Sequence, residues 1–491
     1  MGPFLDAYLD HWAASSPDAP AFRIGNTDLS YAMLDGRANA MAAGLNGRNI
    51  GPGDRVGIYS TKSIDLPIAV YGVLKSGAAY VPLDPAAPMA RTAQILNDCG
   101  VTCLITQSSR AKQMPNLQAL VPGLTEIIYE TTAFAPAHTS PKRQANDPAY
   151  ILFTSGSTGP PKGILHSHRS ARAYADYAAE LYDIRQSDRM GNHSPLHFDM
   201  SKFEFFAGVS RGACVVMIPE MLTKLPASLS QLIEAERLTI WYSVPFALIQ
   251  LQERGALDIR DMSALRWVIF AGEPMSPKHL NLLQKQMPDA RFSNTFGPAE
   301  LNVVTVHNLP KKPHDPILPV PIGKPCAHCT ILIEDGQLLV NSPAMMRGYW
   351  RRPDLDASAI VMRPDAQGKP QSYYRTGDLV TYDQNGDLTF SGRVDRQIKL
   401  RGFRIELGEV EQALMAHDAV SEAAVICHAG AQSLTAFVTV THGHITDTAA
   451  LYEYLRTVLT PQAVPGEITI ISEFLRTSTG KIDRKLLESV S

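Results

Sequence analysis

Residues 153–163 read FTSGSTGPPKG, and no other run narrows the possible folds as much. Its glycines, hydroxyls and prolines cannot fill a core. It follows AYILF, an apolar run with the length and composition of a buried strand. Glycines let backbone N–H groups turn inward, hydroxyls supply further hydrogen bonds, and Lys162 adds a positive charge, a combination suited to a polyphosphate. The two prolines stiffen the exit. A Walker A loop needs G-x-x-x-x-G-K-[ST]. Here the spacing is Gly156, Gly159, Lys162, with Gly163 where the hydroxyl residue belongs. Alone, the run reads equally as a solvated surface loop.

At 491 residues the chain exceeds what one hydrophobic core serves, so two or more domains are expected. Ser30 caps a predicted helix in which Leu34, Ala38, Met41 and Leu45 share one face. DRVGIYS then reads as a strand, and DLPIAVYGVLKSG as a helix closed by Gly77. The alternation continues to about residue 305 and predicts an α/β body, large and N-terminal, with β subdomains. Near residue 392 the pattern shortens: QIKLRGFRIE, a helix from LGEVEQALMAH, strands AAVICH and LTAFVTV, and a helix DTAALYEYLRTVL. We divide the chain into 1–392 and a small, mobile α+β domain, 393–491. The polar, glycine-punctuated SGRVDRQ serves as the linker or hinge.

A formal net charge of −3 leaves no electrostatic footprint for nucleic acid or an anionic membrane. No run approaches the roughly 20 apolar residues of a membrane helix. The N-terminal stretch MGPFLDAYLDHWAASSPDAP has early acids and no basic-then-apolar run, so no secretory leader is visible. Cysteines 99, 103, 214, 326, 329 and 427 are scattered, which argues for a reducing, cytoplasmic setting without disulfides. CAHC, Cys326–Cys329, lacks the second ligand pair of a structural zinc site.

Further motifs follow the glycine loop in order: NTFGPAE (294–300), YRTGDLV (374–380), GRVDRQIKLRGFRIELGEVE (392–411) and TGKIDRKLL (479–487). With these the chain resembles, essentially end to end, the adenylate-forming enzymes: amino-acid adenylation domains of non-ribosomal peptide synthetases, acyl-CoA synthetases and luciferases. The resemblance implies the acyl-adenylate synthetase fold. It also implies activation of a carboxylate with ATP and Mg²⁺, release of pyrophosphate, rotation of the small domain, and transfer of the acyl group to a thiol. It further implies that Thr154, Ser155, Gly156, Ser157, Thr158, Gly159 and Lys162 wrap the phosphates. Asn294, Thr295, Phe296, Gly297, Pro298 and Ala299 would line the adenine pocket, with Phe296 under the base. Glu300 would hold Mg²⁺, and Asp378, with Arg393 nearby, the ribose hydroxyls. Asp395 falls at the hinge position and Gly402 on the loop that enters the site after rotation. Lys481 matches the catalytic lysine. A cation placed between two anions, the attacking carboxylate and the α-phosphate, lowers the barrier by alignment and charge stabilisation. The adenine segment commonly carries tyrosine and threonine where Phe296 and Ala299 stand here. Stacking survives that change, and a possible phosphate contact is lost.

HFDMSKFEFF (197–206) matches the motif in which amino-acid activators keep an aspartate for the substrate α-ammonium, and Asp199 holds that place. Met200, Phe203, Tyr242, Ile269, Ala271, Thr295, Val303 and Val304 align as the remaining pocket wall. It is apolar and crowded, and it resembles that of free-standing prolyl-adenylating ligases. A substituted proline or another small residue stays open, as does the D-alanine-activating relative. Asp199 disfavours an acyl-CoA ligase. Intact Lys162, Glu300, Asp378 and Lys481 disfavour a catalytically silent nucleotide-binding protein. No carrier or condensation motif is seen, so the expected partner is a free-standing phosphopantetheinylated carrier protein.

Overall fold

The Ser30 side chain accepts the Met33 N–H at 3.2 Å and opens the helix Tyr31–Asn46, which buries Leu34, Ala38, Met41 and Leu45 as their spacing requires. Strand Arg55–Tyr59 and helix Leu66–Ser76, closed at Gly77, also form where the pattern placed them. Every residue of that second helix is buried, because it has no solvent face: it lies in the core between two large sheets. The structure is a computed structural model that describes residues 1–134, 140–156, 159–365, 367–427, 433–476, 482, 484, 486 and 487.

Among the described residues, one of those sheets has seven strands. Its parallel centre is Ala79–Pro82, Arg55–Tyr59 and Cys103–Thr106, next to Pro148–Gly156, and the returning strand Gly159–Ser167 pairs antiparallel with Pro148–Gly156. The other has nine strands, with Arg291–Phe296, Trp267–Ala271, Ile240–Ser243, Arg189–Asn192, Cys214–Met217 and Pro20–Ile24 running parallel in that order. The core between them joins Phe22, Tyr80, Tyr150, Met190 and Val215 to the faces of helices Tyr31–Asn46, Leu66–Ser76 and His168–Leu181. A five-stranded sheet, including Pro370–Tyr382 and Leu388–Arg393, completes the large body.

Beyond Arg393 the chain forms a two-stranded hairpin, Gln397–Leu400 with Phe403–Glu406. A three-stranded sheet and the helices Leu407–Met415 and Thr448–Val458 follow. Val410, Leu414, Val425, Val438, Leu451 and Leu455 belong to a separate core there. The fold is therefore a large α/β body with a smaller C-terminal α+β domain. No helix among the described residues is long and apolar enough to cross a membrane.

Candidate active site

A cleft opens where several parallel strands end, the usual place for a ligand in such sheets. Thr154, Tyr242, Ala271 and Thr295 reach it from the last residues of their strands. The hairpin closes it from the other domain with Gln397, Lys399, Gly402, Phe403 and Arg404.

At the glycine-rich run, Ser155 and Gly156 end one strand and Gly159 begins the next. Ser157 and Thr158 lie outside the described residues. The Thr154 hydroxyl oxygen is buried without a hydrogen-bond partner among the described residues, so it can still bond a ligand oxygen. Lys162 is mostly buried, 4.0 Å from Glu406 and 5.2 Å above the Tyr349 ring. Burial, with Arg404 nearby, brings its ammonium down to about 8. Gly297, Pro298 and Ala299 line the cleft. A Cβ on Gly297 would fall 1.9 Å from the Asn302 carbonyl oxygen, so no side chain fits. Asn294 and Phe296 flank the inward-facing Thr295 on one strand and face the other way. Asn294 donates to the Pro321 carbonyl at 2.8 Å, and Phe296 joins the core around Leu301 and Val340, with Lys399 5.8 Å from its ring.

Asp378 lines the cleft and accepts from Arg393 at 2.5 Å. Burial still outweighs the guanidinium and holds its carboxyl above the usual range. Arg393 also clamps Asp395, at 2.6 and 2.7 Å. Although burial opposes it, that clamp lowers the Asp395 carboxyl. Glu300 has no exposed surface. Its two oxygens accept from Arg404 Nη1 at 3.0 Å each, and one of them accepts from the Tyr349 hydroxyl at 2.7 Å. Burial raises a carboxyl, but Arg404 and Lys162 prevail and hold this one at about 2. A single, firmly ionised carboxylate suits Mg²⁺, which commonly takes one or two protein carboxylates and completes its shell with phosphate oxygens and water.

At the other end, Asp199 lies on the wall with Met200, Tyr242, Ala271, Thr295 and Val303. Its hydrogen bond comes from the Met200 N–H at 2.9 Å, and burial raises its carboxyl. Lys399 and Lys202 pull the other way without offsetting that burial. Phe203 and Tyr242 meet edge to face at 5.4 Å and, with Ile269, enclose a smaller space behind the wall. Val304 does not reach the cleft. Its N–H is spent on the Phe296 carbonyl at 2.8 Å and its side chain enters the core with Leu301 and Ile164. The CAHC segment is a turn behind this wall, where the Cys326 N–H holds the Val304 carbonyl at 2.8 Å.

Lys481 lies outside the described residues. Its neighbour Ile482 packs against the cluster of Ala424, Ile426, Phe437 and Phe474, and no described residue beyond Gln462 lines the cleft. From the small domain it is the hairpin that lines most of the cleft. Gly402, at φ +83°, donates its N–H to Glu273. Phe403 packs edge to face on Phe198 at 4.9 Å, and the Lys399 ammonium, lowered by burial, is drawn to Asp378 and Asp199. Lys399, Arg404 and Glu273 were not singled out from the sequence. The signal for the first two was the alternation in QIKLRGFRIE: Lys399 and Arg404 are direct cross-strand partners, while Ile398 and Ile405 pair on the opposite face.

Known proteins resemble this chain over most of its length. The model of the AMP-binding enzyme family matches residues 9–350, and that of the AMP-binding enzyme C-terminal domain matches 409–481. An L-proline--[L-prolyl-carrier protein] ligase of Pseudomonas fluorescens is 34% identical over 98% of this chain and 98% of its own length. A ligase of the same name from Streptomyces coelicolor is 33% identical over 83% of this chain and 81% of its own. Among solved structures, the Vibrio cholerae adenylation domain AlmE, in complex with glycyl-adenosine-5'-phosphate, superposes with a TM-score of 0.85. It covers 100% of this chain and 98% of that one at 23% identity, a likeness of fold.

Proposed function

Because the chain belongs to the AMP-binding enzyme family and is an AMP-forming ligase, we propose that it uses ATP and Mg²⁺ to activate a small amino acid, L-proline first among candidates. The aminoacyl group then passes to the phosphopantetheine thiol of a separate carrier protein. Asp199 carries this reading. A buried carboxylate beside Met200, Tyr242, Ala271 and Val303, hydrogen-bonded by one amide, suits an ammonium ion, and leaving it unpaired penalises acids that lack the amine. Met200, Phe203, Tyr242 and Val303 leave room for a compact side chain, and two relatives bear the name of prolyl-carrier-protein ligases.

In this reading the substrate carboxylate attacks the α-phosphorus and pyrophosphate leaves. Thr154, with the glycine run and Lys162, holds the phosphates, Asp378 the ribose, and Glu300 the Mg²⁺, which supplies charge neutralisation for the leaving group. Lys481 aligns the two anions. The domain 393–491 then turns about Asp395, and the hairpin takes the place of Lys481. A thiolate attacks the acyl carbon and AMP departs. The cleft suits this second step, since it continues past Ala87 and Arg91 to Thr460 and Gln462 of the small domain.

Amino-acid-dependent ATP–pyrophosphate exchange tests the proposal across the proteinogenic set with both enantiomers of proline and alanine. A dominant L-proline signal is expected. A D-alanine signal would keep the chemistry and replace the substrate, and silence from every amino acid would overturn the reading of Asp199.

A further inference from the structure

Lys202 is 1% exposed, and an ammonium ion is costly to bury unless its donors are bonded. It does not line the cleft. It lies behind the turn that carries Asp199, where its Nζ donates to the Leu196 carbonyl at 3.0 Å, the Ser201 hydroxyl at 3.0 Å and the Phe198 carbonyl at 3.4 Å. All three ammonium hydrogens are thereby engaged. The Ser201 hydroxyl donates in turn to the Phe198 carbonyl at 2.7 Å, and the Lys202 N–H holds the Asp199 carbonyl at 3.0 Å. The Tyr150 and Tyr80 rings stand 5.3 and 5.8 Å from the ammonium. The other end of the same segment is held alike by Lys62, whose Nζ donates to the carbonyls of Asn192 and His193 at 2.8 and 2.6 Å. Glu204, also 1% exposed, attracts both lysines and accepts from the Asn192 side-chain amide at 3.0 Å. Carbonyls along residues 192–198 thus rest on two buried cations. None of these bonds uses an oxygen of the Asp199 carboxylate, which stays open to a ligand.

We propose that Lys202 is a positioning residue of the amino-acid receptor: it fixes the Leu196 and Phe198 carbonyls from behind and so sets where the Asp199 carboxylate meets the substrate ammonium. Resting on the function proposed above, this assigns the aim of Asp199 to a side chain outside the cleft wall. Asp199 stands in a turn, so no ladder of backbone bonds holds it as a strand or helix would. Lys202 supplies that hold. An aliphatic side chain would fill the same volume and give those carbonyls nothing. Recognition is sensitive to such a loss, because a misplacement of about 1 Å can cost on the order of 10² in a positioned reaction. Glu300 and Asp378, at the nucleotide end, bond to Arg404 and Arg393, so that end does not lean on the turn.

The test is amino-acid-dependent pyrophosphate exchange by the full-length protein, with the amino acid the wild type prefers and separate KM values for it and for ATP. Lys202→Met keeps the length and loses the donors. It should raise the amino-acid KM at least about tenfold while the ATP KM and kcat stay within about threefold, the split expected when uniform binding is lost. Ser201→Ala removes one hydroxyl and should raise the same KM by about threefold. In an Asp199→Asn background, Lys202→Met should add less than about threefold, since no carboxylate remains to be aimed. A merely structural lysine would lower the urea midpoint and the yield of active enzyme with both KM values unchanged, and that result overturns the proposal. So does an equal rise in both KM values, or full additivity with Asp199→Asn. If Lys202→Met fails to fold, Ser201→Ala decides, and an unchanged amino-acid KM there is the overturning result. A wild type silent with every amino acid removes this reading together with that of Asp199, whereas a wild type that exchanges and variants that keep its KM remove this one alone.

Discussion

Gly402→Ala should separate the two half-reactions. In the docked hairpin a Cβ on residue 402 would fall 2.6 Å from Val244 Cγ1 and 3.1 Å from Cγ2. Valine is β-branched and stiff, so it cannot swing aside, and overpacking of this kind costs about 1–3 kcal/mol. The left-handed backbone at φ +83° belongs to the hairpin turn itself and travels with it, so its strain largely cancels between domain positions. The clash exists only where the hairpin meets Val244. At a factor of ten per about 1.4 kcal/mol, thioester formation should slow by roughly 5- to 150-fold. Amino-acid-dependent exchange should stay within about twofold by the same arithmetic. The assays are pyrophosphate exchange and single-turnover acyl transfer to free phosphopantetheine. Val244→Ala removes the two methyls that are struck and should restore transfer in the double variant. Equal loss of both half-reactions, or no rescue, would refute the argument.

Asp199→Asn should lower kcat/KM for the amino acid by about 10²- to 10⁴-fold, the scale of breaking a buried ion pair, with little change in KM for ATP. A variant that still discriminates for the amine would show that another group reads it. Lys399→Met should spare exchange and slow transfer, because the ammonium reaches Asp378 and Asp199 only from the docked hairpin; loss of exchange first would contradict this. Asp395→Pro should spare adenylation and impair transfer by freezing the hinge dihedral, with Asp395→Ala as the control for the lost Arg393 clamp. Lys202, whose ammonium donates to the Leu196 carbonyl and Ser201 hydroxyl at 3.0 Å each, is brought by burial from 10.5 down to about 7. The unfolded chain keeps that proton to higher pH, so this group's contribution to stability rises between about pH 7 and pH 10. Urea unfolding at pH 7.5 and 9.5 should show a shallower rise for Lys202→Met, and an unchanged slope would place the titration elsewhere.

Much of the architecture was legible because the relevant physics is local. Ser30 and the spacing from Leu34 to Leu45 are sufficient for one helix, and the apolar AYILF marks a strand that runs on to Gly156 before it turns back. Thr154, Ala271 and Thr295 reach the cleft from the ends of their strands, whereas Asp199 comes from a turn well beyond Asn192 and Asp378 from within Pro370–Tyr382. Asn294, Phe296 and Val304 are not among the cleft-lining residues, because strand alternation around Thr295 sends the first two to the other face and Val304 packs in the core with Leu301 and Ile164. Glu273, Lys399 and Arg404 were out of reach differently. Arg404 is more than a hundred residues from Glu300 in the chain, and their pairing is made only where the small domain meets the large body.

The mouth of the cleft has split ownership, with Ala87 and Arg91 on one jamb and Thr460 and Gln462 on the other. An opening shared in this way is not a permanent property of either domain. Under the domain turn proposed above it would be assembled and dismantled with their arrangement, and the ion pair of Arg91 with Glu409 at 2.6 Å spans the same seam. Under the function proposed here, a carrier protein presenting its thiol at that mouth must rest on both domains at once. Its recognition surface therefore reads timing as well as shape: a poorly matched partner could be rejected for arriving while the doorway was undone, even with a thiol of the right length.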